Sequence, residues 1–231
     1  MDLTARPATP ATRALEAHDL YRFYHSGEDE TLALRGVNFQ VDLGETVAVV
    51  GPSGSGKSTL LACLAGLDEP DGGYVLLRGQ RLTRRTESER AAMRAAHVGI
   101  LLQSGNLLEH LSVEDNIALP MRIAGAFDES RQRELLVRVG LHHRRRARPS
   151  ELSGGESARA GLAVAFACNP TVLLADEPTG EVDADTEQQI LELFDEHQRG
   201  GGALVIATHS DALAGRARRI VRLVDGRVAD A

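Results

Sequence analysis

The sequence predicts an α/β fold with a mostly parallel central sheet, an antiparallel β subdomain beside it and an inserted helical subdomain. The parallel sheet is read from three short, almost wholly apolar runs, Thr46–Val50, Thr171–Ala175 and Ala203–Thr208. Each is too short for a buried helix, and an unbroken apolar run suits a strand covered on both faces. Helical patterns over Lys57–Leu67, Glu156–Cys168 and Asp185–His197 separate these runs, as crossover connections between parallel strands require.

The front of the chain differs. Ala14–Phe23, Leu32–Val41 and Gly73–Gly79 carry shorter alternating patterns, which suit an antiparallel sheet with one covered face. From about Ser104 to Ser150 strand signals disappear, and Glu114–Ile123 and Asp128–Val139 read as helices split at Ala124–Gly125. Residues 14–231 are therefore expected to form one domain, with the helical subdomain at about 104–150. Met1–Arg13 is rich in Ala, Thr and Pro, lacks an apolar core, and reads as a disordered tail rather than a signal peptide or anchor.

Composition narrows the function classes. A chain of 231 residues, 42% hydrophobic and 26% charged, can fold around one core with a smaller subdomain attached. No apolar run reaches the roughly 20 residues that cross a bilayer, so work at a membrane would need another protein to hold it there. The net charge of -7 argues against nucleic acid as the main partner. Cys63 and Cys168 both fall in helical patterns and read as reduced, buried thiols without chemistry. His142 and His143 have no partner at metal-ligand spacing. The basic run Arg144–Arg148 reads first as a solvated loop and second as a permease or lipid contact.

One motif carries the chemistry. Gly51-Pro52-Ser53-Gly54-Ser55-Gly56-Lys57-Ser58 fits G-x-x-x-x-G-K-[ST], follows a buried strand and opens a helix, which Thr59 continues. This is the phosphate loop of a P-loop NTPase. Glycines let successive N–H groups curl around phosphate oxygens, and the helix N-terminus adds its positive end. Lys57 is expected to reach the β- and γ-phosphates, and Ser58 to offer its hydroxyl to Mg²⁺. A second apolar strand ends in Asp176 and Glu177. Two adjacent carboxylates there are costly unless paired, which suits Asp176 as the Mg²⁺ partner and Glu177 as the base that polarises water.

Leu152-Ser153-Gly154-Gly155-Glu156 closely resembles the LSGGQ signature of ABC (ATP-binding cassette) ATPases. Other elements of that family stand in its order: Gln103 at the Q-loop position, Asp183 at the D-loop position and His209 at the switch position. Tyr24 matches the aromatic residue that stacks on adenine, with Tyr21 and Phe23 as rivals. The resemblance spans about Ala14 to Gly226. It implies that Ser153, Gly154, Gly155, Glu156 and Asp183 act in trans, on the ATP held by a second copy packed head to tail. It also implies that His209 senses the γ-phosphate and that Gln103 reaches Mg²⁺. Three positions depart from the common pattern: Glu156 stands for Gln, Glu181–Val182 for Asn–Leu, and Val164 for Arg. Glu156 is expected to slow hydrolysis if it faces the partner's nucleotide.

Finer motifs resemble one branch of the family, that of the lipoprotein-release, macrolide-efflux, antimicrobial-peptide-resistance and cell-division ATPases. They include Val98–Gln103, Asn106-Leu-Leu, Asp115-Asn116, Leu119-Pro120 and Pro149-Ser-Glu-Leu. The resemblance implies an ATP-hydrolysing subunit with ATP and Mg²⁺ as cofactors, dimerising on ATP. It implies an FtsX-like or efflux permease docked around Ser104–Arg122, and a cytoplasmic location on the inner face of the plasma membrane. The alternative is a nucleotide-gated regulatory or mechanotransmission module with little turnover, kept open by Glu156 and Glu181. A soluble DNA-repair-type ATPase would need a coiled coil or a basic face.

Overall fold

A computed structural model of the chain describes residues 13–26, 29–180 and 182–229. Residues 1–12 of the expected tail lie outside them, and Arg13 already opens the first strand. The chain starts with a long antiparallel pair, β1 (Arg13–Ser26) and β2 (Asp29–Asp42), then β3 (Thr46–Val50) and helix α1 (Lys57–Leu64). Strands β4 (Gly72–Leu77) and β5 (Gln80–Arg81) return to β1 and complete a four-stranded antiparallel sheet in the order β2-β1-β4-β5. Helix α2 (Glu87–His97) leads into β6 (Val98–Leu101), and α3 (Val113–Ile123) and α4 (Glu129–Arg138) follow. The remainder is α5 (Gly154–Ala165), β7 (Val172–Asp176), α6 (Ala184–Arg199), β8 (Ala203–Thr208), α7 (Asp211–Ala214) and the hairpin β9 (Arg219–Val224) and β10 (Arg227–Ala229).

The second sheet has the order β10-β9-β3-β8-β7-β6; all its pairings are parallel except that of β10 with β9. Its central strands alternate between two cores. Val172, Leu174, Ala203, Val205 and Ala207 face α1 and the antiparallel sheet. Leu173, Ala175, Leu204 and Ile206 face the helices α3 to α6. Both faces are covered, which is why these strands read as continuous apolar runs. Each fully buried Leu or Ile contributes roughly 1.5–3 kcal/mol of transfer free energy.

Three elements depart from expectation. Helix α2 has no fully buried residue, and its inner face is a weak one of alanines and Met93. It is fixed by a capping box between Thr86 and Glu89 and by ion pairs of Arg90 with Glu69 and Glu87. The hairpin β9–β10 was also missed, because β9 buries only Val221 and Leu223. Helix α5 begins at Gly154 rather than Glu156 and stops at Ala165, so Cys168 sits in the following turn and is half-buried; Cys63 is buried in α1, and both thiols are free.

The loop after β6 is organised by a polar residue inside the core. Asn116 is 3% exposed. Its side-chain oxygen accepts from Leu108 N–H at 2.7 Å, and its amide lies 3.2 Å from Leu108 O, 3.3 Å from Leu111 O and 2.9 Å from Ser112 O. Nearly the full bonding capacity of the amide is thus spent on holding the turn that enters α3. Asn116→Ala strands those backbone groups away from water, and urea denaturation should show a loss of about 2–4 kcal/mol.

Candidate functional site

The site lies where the carboxyl ends of parallel strands finish together. Val50 pairs with Thr208, Asp176 with Ala207 and Leu101 with Ala175, so β3, β8, β7 and β6 end in one row. Ligands of open α/β sheets bind at this edge. Residues 51–59 leave β3 there, Glu177 leaves β7, His209 leaves β8 and Gln103 follows β6. They surround a groove of about 820 Å³, together with Tyr24 and Asp176. Ser55 is turned beneath the loop and is 3% exposed.

Residues 51–56 make a tight nest. Gly54 and Gly56 have φ of +76° and +103°, a region L side chains rarely adopt. Space is as restrictive as backbone: a Cβ on Gly51 would lie 2.1 Å from Leu223 O, and one on Gly56 2.5 Å from Ala33 O. Gly56 caps α1 without a side-chain bond, leaving the first-turn N–H groups directed at the loop mouth. Lys57 Nζ donates to Gly51 O at 2.9 Å and Pro52 O at 3.1 Å, which holds the cation over the nest. Free N–H groups and an ammonium around a glycine cradle form an anion site suited to phosphates.

Sequence reasoning gave no role to the C-terminal hairpin, yet it buttresses this loop. Leu223 O closes against Gly51, Gly226 N–H donates to Ser55 O at 3.0 Å, and Arg35 N–H donates to Gly226 O at 2.8 Å. The signal was present. Asp225–Gly226 between alternating residues is a strong two-residue hairpin cue, and both have positive φ, 48° and 74°.

Tyr24 stands at the groove mouth, and its ring is held from behind. Its hydroxyl donates to Asp68 Oδ2 at 2.7 Å, and the Arg22 guanidinium lies 4.7 Å from the ring centroid. Burial, then the bond to Asp68, raises the pKa of the phenol, keeping it neutral. The rival Tyr21 instead packs over Gly36 and Gly72, away from the groove, and Phe23 does not line it either.

Glu177 has a left-handed backbone, φ 46°, fixed by its N–H bond to Ala207 O at 2.9 Å. A non-glycine residue there costs roughly 1–2 kcal/mol, a strain typical of functional sites. Its carboxylate is engaged on both oxygens: His209 Nδ1 lies 2.9 Å from Oε1, and Thr208 Oγ1 donates to Oε2 at 3.1 Å. Thr208 in turn accepts from Ser210 N–H at 3.0 Å. Asp176, 8% exposed, lines the same groove beside Ser58 and Gln103. One carboxylate, one hydroxyl and one amide fit Mg²⁺, which takes oxygen ligands, keeps waters and completes its shell from substrate phosphates.

The signature residues do not line this groove. Ser153 caps α5, its Oγ accepting from Glu156 N–H at 3.2 Å, while Glu156 Oε2 accepts from Ser153 N–H at 2.9 Å. The Glu156 carboxylate is therefore folded onto its own helix start, and its second oxygen lies 3.4 Å from Arg144 Nε. It thus stays on the same turn as the signature glycines, bonded within its own chain. The basic run is likewise only partly solvated, since Arg145 Nε lies 3.4 Å from Glu114. Asp183 caps α6, accepting from Thr186 N–H at 2.9 Å. Gly155 packs on that cap: its Cβ would lie 2.7 Å from Thr186 Oγ1 and 3.0 Å from Asp183 Oδ2. Arg159 donates to the same Thr186 hydroxyl at 2.7 Å. Glu181 lies outside the described residues; its neighbour Val182 packs against the helical core.

Comparison with known proteins shows the family to which this fold belongs. A family model described as "ABC transporter" matches residues 34–180. The lipoprotein-releasing system ATP-binding protein LolD of Geobacter metallireducens is 43% identical over 93% of this chain and 97% of its own length. The macrolide export ATP-binding/permease protein MacB of Hyphomonas neptunium is 38% identical over 93% of this chain but 34% of its own length. Among solved structures, the dimeric post-hydrolysis state of the ATP-binding cassette MJ0796 bound to ADP and Pi superposes with a TM-score of 0.88. Its sequence is 32% identical, over 94% of this chain and 97% of that one. The chain belongs to the ABC transporter family, among its ATP-binding proteins of the LolD and MacB type.

The two signature glycines should respond oppositely to an added methyl group. Gly154 faces open space, so Gly154→Ala should gain several tenths of a kcal/mol from helix propensity. Gly155→Ala must push the Asp183–Thr186 cap aside and should lose about 1–2 kcal/mol, both read by urea denaturation.

Proposed function

We propose that this ABC-family chain is an ATP-hydrolysing motor subunit that drives a separate membrane permease, closing head to tail on a second copy around ATP. The observation that carries this reading is the division of the phosphate-binding features. The nest at 51–59 and the pair Glu177–His209 line one groove, while the open helix start at Ser153–Gly155 lies outside it. A two-fold pair would bring each helix start over the other copy's groove. The dimeric, ADP- and Pi-bound state of MJ0796 supports the same arrangement.

In this reading Tyr24 stacks on the adenine. The N–H groups of Ser53, Gly54 and Gly56, with Lys57, Ser58 and Thr59, take the phosphates. Ser58, Asp176 and Gln103 hold Mg²⁺, which when bound neutralises phosphate charge. Glu177 takes a proton from the attacking water as the new P–O bond forms and the bond to the leaving ADP oxygen breaks. His209, now held against Glu177, sets the carboxylate's direction and reads the γ-phosphate. Ser153 and Gly155 cap that phosphate from the other copy, and Asp183 tethers the signature to its own α6.

The permease half rests on relatives. MacB carries ATP-binding and permease functions under one name, and LolD belongs to a lipoprotein-releasing system. No helix among the described residues is long and apolar enough to cross a membrane. We place the motor on the cytoplasmic face of the plasma membrane, held by an FtsX-like or efflux permease around Ser104–Arg122, where Leu108 is exposed. The low-turnover alternative loses one of its supports, because the Glu156 carboxylate is engaged within its own chain.

Glu177→Gln tests the reading. Mg²⁺-dependent ATP hydrolysis should fall by roughly 10²–10⁴-fold while ATP binding persists, and ATP should now accumulate a dimer in sedimentation. Unchanged turnover would remove Glu177 from the chemistry.

A further inference from the structure

We propose that Arg144 is a positioning residue of the signature: it neutralises Glu156 and so keeps the start of α5 electropositive toward the phosphate of a second copy. The inference rests on the head-to-tail reading above.

The start of α5 offers the N–H groups of Gly154 and Gly155 and the Ser153 hydroxyl hydrogen, whose oxygen is already accepting from Glu156. Gly154 faces open space, so an anion can approach the backbone there. Yet the same turn carries the Glu156 carboxylate. Its bond from Ser153 N–H, ahead of the charge of Arg144, holds its pKa below the usual range, so it is ionised at neutral pH. A second carboxylate, Asp183, lies just behind Gly155. Two carboxylates beside three donors are a poor receptor for a triphosphate unless countered.

Two arginines counter them. Arg159 is committed to Thr186 and to Val139 O at 3.1 Å. Arg144 is the one that meets Glu156 Oε1, at 3.4 Å. Its Nε is buried without a hydrogen-bond partner, so the contact acts through charge rather than through a bond. The arginine does not wander. Its guanidinium donates to Glu151 O, and its loop is tied to α3 by Val113 N–H to Ala147 O and Glu114 N–H to Arg145 O, both 2.9 Å. At 34% and 21% side-chain exposure the pair is partly screened, so its effect on an approaching anion is moderate.

The test is a charge rescue in the Glu177→Gln protein, with ATP-dependent dimerisation followed by sedimentation. Arg144→Gln should raise the ATP concentration for half-dimerisation by about three- to tenfold. Adding Glu156→Gln should restore it, because glutamine keeps the capping oxygen and removes the charge. The deficit should also shrink as salt rises to about 0.5 M. Circular dichroism, and binding of a fluorescent ATP analogue to the Arg144→Gln protein, check that the fold and its own groove are intact. If Arg144→Gln dimerises like its parent, or Glu156→Gln fails to rescue it, the inference is overturned and Arg144 is only a tie to Glu151. If the Glu177→Gln parent itself stays monomeric at saturating ATP, the head-to-tail reading fails first and the inference goes with it.

Discussion

The phosphate loop is wedged between two backbone carbonyls. Ala33 O presses on Gly56 and Leu223 O on Gly51, each closer than any side-chain carbon tolerates. The loop can therefore follow only one path, and that path sets the start of α1, the position of Lys57 and the bed of Ser55. The parallel sheet supplies the other constraint. Because β3, β8, β7 and β6 end in register, the groups that leave them share one groove without any long loop to bring them there.

Strain and rigidity are distributed unevenly around that groove. Glu177 is held in an unfavourable backbone region by a sheet hydrogen bond and has both carboxylate oxygens engaged, so its direction is fixed before any substrate arrives. His209, by contrast, has a side chain that is 75% exposed and bonds on one side, which suits a group that changes partner. The signature is rigid for a different reason. Gly155 rests on the cap of α6, and Arg159 bolts α5 to the same threonine, so α5 and α6 present one solid edge.

Much of this was legible in the sequence, because the informative features are local. An apolar run between turn residues is a strand whatever surrounds it, and G-x-x-x-x-G-K-S bends the same way in any chain that follows a strand with a helix. The helices after Ser112, Ser153 and Asp183 were likewise legible, to within two residues of their observed starts. What escaped was tertiary. Helix α2 buries none of its residues fully, offers the core little more than Met93, and is tied down by the Arg90–Glu69 ion pair, which is long-range. The direction of the Glu156 carboxylate is set locally by its capping box with Ser153, but the charge that Arg144 sets beside it, from twelve residues earlier, is not. The importance of Leu223 lies in its carbonyl, and a side-chain alphabet is silent about that.

The stitch from Ser55 through Gly226 to Arg35 joins three stretches of chain that are far apart in sequence. During synthesis the nest at 51–56 leaves the ribosome long before the hairpin that braces it. Until β9 pairs with β3 through residues 219–222 and carries Leu223 and Gly226 over the loop, the loop has no fixed wall on that side. Nucleotide affinity should thus arise late and all at once, as β9 docks, rather than grow with chain length. The brace thus makes completion of the nest wait on the last stretch of the described chain.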